Sequence, residues 1–194
     1  MIKIVITGEK GGTGKSTLAC LLVEYLTYQQ KKVQLIDTDP LQTAQTWWEN
    51  CQSEGRPVLS CPAEYQVIDT AGSSGASLLW INQADILIVP LVLHYADLRI
   101  VANWFASLNK TLQKKIYFLP NRWQNTKEQR EGLKQLEREI KKVGVGQVLP
   151  PLSNRPALYA PFLNGNKENF FTDQKNSQEA QQVLCGIFEK KRKK

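Results

Sequence analysis

Between Gly8 and Ser16 the chain carries a glycine-rich loop, Gly8-Glu9-Lys10-Gly11-Gly12-Thr13-Gly14-Lys15-Ser16, followed by Thr17. The spacing G-x-x-x-x-G-K-[ST] is suited to holding phosphate. Glycines at 11, 12 and 14 let the backbone curl so that successive N–H groups face phosphate oxygens, and a helix starting behind them adds partial positive charge. In that arrangement Lys15 reaches β- and γ-phosphates, Ser16 offers its hydroxyl to Mg²⁺, and Thr17 stands near an α-phosphate. The apolar, β-rich run over residues 2–7 precedes the loop and a helical pattern follows it, which is the context the motif requires.

Lys10 adds a second lysine. The run Lys-Gly-Gly-x-Gly-Lys-Ser-Thr over residues 10–17 resembles the ParA/MinD family of ATPases, which carry a deviant P-loop with a signature lysine. In that family the signature lysine crosses a dimer interface to the phosphates of the partner's nucleotide. The resemblance therefore implies an ATP sandwich dimer in which Lys10 supplies a mobile cation in trans, as an arginine finger does.

Acidic residues are spaced to complete such a site. Val33 to Pro40 ends a strand pattern with Asp37 and Asp39, and Gln66 to Gly72 ends another with Asp69. Carboxylates at the C-terminal ends of parallel strands lie beside a phosphate loop, and Mg²⁺ takes oxygen ligands, often through retained waters. Taken singly, Asp37 or Asp69 has a helix cap as its alternative role. The resemblance implies that Asp37 and Asp69 belong to the Mg²⁺ shell, that Asp39 orients the attacking water, and that Gly72 is a switch pivot. Ala71-Gly72 stands where the family commonly has Pro-Pro.

For the base, Tyr117 to Arg122 ends a later strand in an amide, and Asn121 can both donate to and accept from an adenine edge. The resemblance implies Asn121 and Arg122 as base-site residues, with Pro151 and Arg155 in a segment lying along the adenine; an ordinary loop is the other reading of that segment. Ala96-Asp97-Leu98 resembles the start of the family's long interface helix.

The elements that must hold these residues alternate along the chain. Strand patterns fall at 2–7, 33–37, 65–69, 86–92, 116–120 and 146–149, with a weak one at Val58-Leu59-Ser60. Helical patterns fall at 15–29, 41–53, 75–83, 95–110, 127–142, 156–163 and 176–190. The alternation predicts an α/β fold of the P-loop NTPase kind, a mostly parallel sheet with helices on both faces, with residues 1–189 as one domain and 190–194 as a basic tail. The runs at 2–7 and 86–92 are apolar almost throughout, as expected of central strands covered on both sides. In 127–142, Leu133, Leu136 and Ile140 form a narrow apolar stripe among Lys127, Arg130, Lys134, Arg138, Lys141 and Lys142.

Composition narrows the function. The chain has 194 residues, 42% hydrophobic and 22% charged, as expected of a globular protein with a real core. No apolar run is long enough to span a bilayer, and the start lacks a signal-peptide pattern, so a cytoplasmic protein is expected. Cys20, Cys51, Cys61 and Cys185 have no metal spacing and read as reduced thiols. They also lack the spacing for a cluster shared across a dimer. His94 reads as a surface or packing residue.

The net charge of +7 divides unevenly: residues 1–98 carry 6 Lys/Arg and 10 Asp/Glu, residues 99–194 carry 19 and 8. A basic second half suits an anionic partner. By resemblance the first hypothesis is a ParA-type ATPase whose ATP-bound homodimer binds DNA without sequence preference, associates with the nucleoid, and hydrolyses ATP when an adaptor or centromere-binding protein stimulates it. Candidate DNA contacts are Lys110, Lys114, Lys115, Lys127, Arg130, Lys134, Arg138, Lys141, Lys142 and the terminal cluster. The chain opens directly on its first strand, which implies the small class of partition ATPases without an N-terminal DNA-binding domain. A MinD-like membrane-cycling ATPase is the second hypothesis, with Val183, Leu184, Ile187 and Phe188 before Lys190–Lys194 as a short amphipathic anchor. A P-loop metabolic enzyme resembling dethiobiotin synthetase is the third.

Overall fold

The computed structural model describes residues 1–56, 62–72 and 75–189. The expected strand at Val58-Leu59-Ser60, Cys61 and the basic tail Lys190–Lys194 lie outside the described residues.

Strands and helices alternate in the order β1 (Ile2–Ile6), α1 (Lys15–Tyr28), β2 (Val33–Asp37), α2 (Thr43–Ser53), β3 (Tyr65–Asp69), α3 (Gly75–Gln83), β4 (Ile86–Leu91), α4 (Tyr95–Ser107), α5 (Lys110–Gln113), β5 (Ile116–Pro120), α6 (Lys127–Val143), β6 (Gln147–Val148), α7 (Pro156–Phe162) and α8 (Gln174–Glu189), with a 3₁₀ turn at Phe170–Thr172. The strands form one parallel sheet in the order β2-β3-β1-β4-β5-β6. β1 and β4 are central, as their unbroken apolar character predicts.

Alternation along the strands divides the core between the two faces. Ile4 and Ile6 of β1 pack with Leu18, Leu21 and Leu22 of α1, Trp47 of α2, and Leu184 and Ile187 of α8. Val5, between them, points to the other face, where Leu87 and Val89 join Leu98 and Phe105 of α4 and Leu136 of α6. Among the described residues no helix is long and apolar enough to cross a membrane.

One helix differs from its sequence expectation. The helix expected over 95–110 ends at Ser107, because Leu108 is extended and the Asn109 side chain accepts from the Leu112 N–H at 3.0 Å, starting α5 as a separate turn. The apolar residues Val183, Leu184 and Ile187 of α8 are buried in the core, and Phe188 stacks on Tyr25 with ring centroids 5.9 Å apart. On α6 the stripe is oriented as expected: Leu136 is buried, Leu133 and Ile140 pack partly, and the basic residues are exposed.

At the far side of α1, the buried Glu24 carboxylate pairs with the Arg56 guanidinium and also accepts from the Phe170 N–H at 3.0 Å. Asn169 donates to the Glu24 carbonyl at 2.9 Å, so α1 is bound to the 3₁₀ turn through both its side chain and its backbone. None of Cys20, Cys51 and Cys185 forms a disulfide; the first two are buried.

Candidate nucleotide-binding site

The loop between β1 and α1 lies at the C-terminal edge of the central strands, where open α/β sheets bind ligands. α1 begins at Lys15 with no side-chain hydrogen bond capping it. Its first N–H groups thus lack a side-chain partner, and with the helix dipole they make an anion site. Lys15 is 7% exposed, and its amine donates to the Lys10 carbonyl at 3.2 Å across the loop. Lys10 points the other way. Its side chain is 47% exposed and pairs with the Asp97 carboxylate in the first turn of α4.

Gly14 holds φ 91°, which strains any residue with a side chain, and a Cβ there would run into the Asn121 amide nitrogen and force that side chain to shift. Gly72 answers to a different constraint. A Cβ on it would come within 3.1 Å of the Glu9 carbonyl oxygen and 3.3 Å of the Gly8 carbonyl oxygen, so its missing side chain lets the segment after β3 lie against the phosphate loop.

Pairing of β2, β3 and β1 sets Asp37, Asp69 and Ile6 side by side at the strand ends. Asp69 is fully buried and neither carboxylate oxygen has a hydrogen-bond partner of normal geometry. Burial pushes its pKa up to about 7; the nearby Ser16 hydroxyl and Lys15 act against the rise, and the Asp37 and Asp39 carboxylates add to it.

Asp37 is committed differently. One oxygen accepts from the Asp39 N–H at 2.9 Å, and the other accepts from Ala44 at 2.9 Å and Gln45 at 3.1 Å, capping α2. Asp39 accepts from the Leu41 N–H at 3.0 Å in the turn that follows. The three carboxylates are thus gathered at one edge, but of the three only Asp69 has both oxygens without a hydrogen-bond partner, while Asp37 does the capping that its sequence context also allowed. A site for Mg²⁺ fits Asp69 and Ser16, since a buried carboxylate without a partner beside a hydroxyl is a donor set short of a cation. No cluster of three or more His, Cys, Asp or Glu stands ready to hold a metal among the described residues. Phosphate oxygens and waters would have to complete the shell, as Mg²⁺ prefers.

Beyond Gly14 a cavity of about 390 Å³ is lined by Gly14, Thr17, Leu18, Asn121, Arg122, Leu152, Ser153, Asn154 and Tyr159, among others. It has the size and mixed apolar–polar wall of a small-molecule site. Asn121 stands at its border with the loop and donates from its amide nitrogen to the Thr13 carbonyl at 2.7 Å. Arg122, with φ 53°, borders both this cavity and an adjoining one of about 410 Å³ that contains Lys10, Gly11, Gly12, Thr13 and Asp97. Pro151 does not line the cavity. The segment contributes Leu152, Ser153, Asn154 and Pro156 instead, because the Leu152 N–H bonds the Pro120 carbonyl at 2.8 Å and draws those residues in beside β5. Arg155 turns outward to the Asn176 side chain at 3.0 Å.

Sequence reasoning missed two contributors. Gln129 is buried, donates to the Arg122 carbonyl at 3.2 Å and accepts from the Gln124 N–H at 2.7 Å, fixing the loop that presents Arg122. Tyr159 lines the same cavity from α7, whose helical pattern was legible although its facing was not.

Comparison with protein families matches residues 4–164 to the CobQ/CobB/MinD/ParA nucleotide binding domain. No curated protein matches the chain. Among solved structures, a chain of the MinC:MinD cell division protein complex of Aquifex aeolicus superposes with a TM-score of 0.71 at 18% identity, over 96% of each chain. A plasmid partition protein of Borrelia burgdorferi B31 bound to AMPPNP gives 0.68 at 18% identity, over 98% of this chain and 99% of that one. A complex of Cyanothece McdA with ATP gives 0.67 at 17% identity, over 97% and 95%. At such identities the structural likenesses speak to the fold. The sequence match spans the phosphate loop, the acidic strand ends and the residues lining the cavity beyond Gly14, and the chain belongs to the CobQ/CobB/MinD/ParA nucleotide-binding family.

Proposed function

We propose that the chain is a ParA-type ATPase: ATP closes a homodimer, the dimer binds DNA without sequence preference, and a partner protein stimulates a slow hydrolysis that releases it. The observation that carries this reading is the opposite facing of two lysines in one loop. Lys15 is buried toward its own phosphate site, whereas Lys10 is half exposed beside it, where a second copy's nucleotide can meet it. The nucleotides bound in the Borrelia plasmid partition protein and in Cyanothece McdA support ATP as the ligand.

In this reading Gly11, Gly12, Thr13 and Gly14 wrap the phosphates, Lys15 neutralises them, and Thr17, Asn121 and Arg122 border the nucleoside. Ser16 and Asp69 would hold Mg²⁺, which when bound would offset phosphate charge. Asp37 orders the turn that carries Asp39, and Asp39 aligns the attacking water. Lys10 then reaches the transferring phosphoryl group of the other protomer.

DNA binding rests on exposed cations. Lys110, Lys114, Lys127, Arg130, Lys134, Arg138, Lys141 and Lys142 are all exposed. Lys115 is the exception, since its amine is spent on the Ala84 carbonyl at 2.7 Å. Pairs between Lys134 and Glu131, and between Lys142 and Glu139, trim the charge of α6. A single copy is thus a modest polyelectrolyte ligand, and doubling it in a dimer multiplies the counterions released from DNA. The membrane-cycling reading draws less support, because Val183, Leu184 and Ile187 are buried in the core and Phe188 packs partly against it.

The decisive experiment compares duplex DNA and anionic phospholipid vesicles as ligands of the ATP-loaded protein. Binding to DNA with ATP and not with ADP, lost steeply as salt rises, is the expected result. Binding to vesicles with none to DNA replaces this reading with the membrane-cycling one.

A further inference from the structure

The packing between α4 and α6 is close at one end and open at the other. Gly132 of α6 lies so near the chain after β4 that a Cβ on it would stand 2.9 Å from the Leu93 carbonyl oxygen. From Leu136 onward the helices leave a cavity of about 480 Å³, whose lining includes Phe105, Phe118, Leu136 and Ile140, with the small side chains of Ala102 and Ala106 contributed by α4. Protein interiors are packed as densely as organic crystals, so a gap of this size, within the range of small-molecule sites, has room for an occupant.

Two polar residues of α5 also line it, one turn apart. Gln113 is 5% exposed; its amide nitrogen donates to the Phe105 carbonyl at 2.8 Å, and its amide oxygen is buried without a hydrogen-bond partner. Lys110 is exposed, and among the described residues its amine has neither a hydrogen bond nor an ion pair. Glu139 lines the cavity as well, but Lys142 offsets its charge at 2.8 Å. The wall is thus short of one donor, and the rim keeps one uncompensated positive charge. Phe105 and Phe118 meet edge to face with ring centroids 5.2 Å apart, an arrangement that a third ring can extend.

We propose that the cavity between α4 and α6 binds a small aromatic carboxylic acid bearing an N–H or O–H donor. Its ring packs on Phe105 and Phe118, its donor meets the Gln113 oxygen, and its carboxylate pairs with Lys110. Residues three apart on a helix share a face, so one small molecule can span Lys110 and Gln113. The site shares no lining residue with either cavity beside the phosphate loop, and it stands independently of the DNA-binding reading.

Indole-3-acetate is the probe, and titration calorimetry on the full chain is expected to show it binding at one site. Benzothiophene-3-acetate, which has sulfur in place of the N–H, and tryptophol, which lacks the carboxylate, are each expected to bind about fivefold more weakly. Ala106→Leu, which fills the cavity from α4, should abolish binding of all three while leaving ADP affinity unchanged; Ala102→Leu takes its place if that variant fails to fold. No binding of indole-3-acetate at millimolar concentration, equal affinities for the three probes, or undiminished binding in the filled variant would each overturn the proposal.

Discussion

The Asn121 amide nitrogen donates to the Thr13 carbonyl at 2.7 Å, joining the end of β5 to the phosphate loop 108 residues away in sequence. The bond fixes the distance between the place for the base and the place for the phosphates. Asn121→Ala is expected to weaken nucleotide binding by about 1–2 kcal/mol, near tenfold. Titration calorimetry with ADP reads the change, and an unaltered affinity would show that the loop keeps its place without Asn121.

The same side chain adds a testable constraint on Gly14. Gly14→Ala places a Cβ against the Asn121 amide nitrogen and also forces an L-residue to φ 91°, the latter worth about 1–2 kcal/mol by itself. Adding Asn121→Ala to Gly14→Ala should recover part of the lost stability, because it removes the clash and leaves the backbone cost. Strictly additive losses in thermal unfolding would contradict this geometry.

Asp69 predicts a pH dependence. Its carboxyl is pushed up to about 7 in the folded chain, against about 3.9 when unfolded. The unfolded chain therefore sheds this proton first, and the nucleotide-free protein loses stability as pH rises from about 4 to about 7, levelling off above. Asp69→Asn should be more stable than the parent at pH 8, by on the order of 3–4 kcal/mol, and nearly equal to it at pH 4. A difference independent of pH in urea unfolding would refute the assignment.

Removing Arg56 isolates the opposite charge problem. Glu24 is buried and its pKa is raised by desolvation, with the Arg56 guanidinium pulling it back. Arg56→Ala leaves a desolvated carboxylate whose ionisation becomes harder still, and a loss of about 3–5 kcal/mol is expected at neutral pH. Protonating Glu24 relieves it, so the loss should shrink as pH falls. A constant loss across pH would place the effect in packing instead.

Lys15 and Asp39 separate binding from chemistry. Lys15→Ala should abolish nucleotide binding, because the buried amine is the cation nearest the loop's centre. Asp39→Ala should still bind ATP and dimerise but stop phosphate release, and normal turnover in that variant would remove Asp39 from its role.

Much of the fold could be read from residue order. The runs at 2–7 and 86–92 carry no polar face, so they had to be central, and they are β1 and β4. The loop from Gly8 to Ser16 likewise named its own chemistry, because glycines before Lys-Ser have few other uses between a strand and a helix. What failed was local or angular. Asn109 capping a new turn inside an apparently continuous helical pattern is a choice between two adequate local structures, decided by a single side-chain hydrogen bond. That Leu152, Ser153 and Asn154 rather than Pro151 line the cavity follows from the Leu152–Pro120 bond, which is not written in either stretch.

The sequence by itself determined the composition of the site: two lysines in one loop, three carboxylates at strand ends, an amide after a fifth strand. Tertiary structure decided what each of them is free to do. Asp37 and Asp69 look alike in sequence and sit in register, yet one spends its oxygens capping α2 and the other is buried with none spent. Lys10 and Lys15 share a motif, yet one faces inward and the other is tied to Asp97 on a different element. Hydrogen-bond partners and desolvation depend on which chain segments converge in space, and that convergence is a property of the packed sheet and helices rather than of any short stretch of residues.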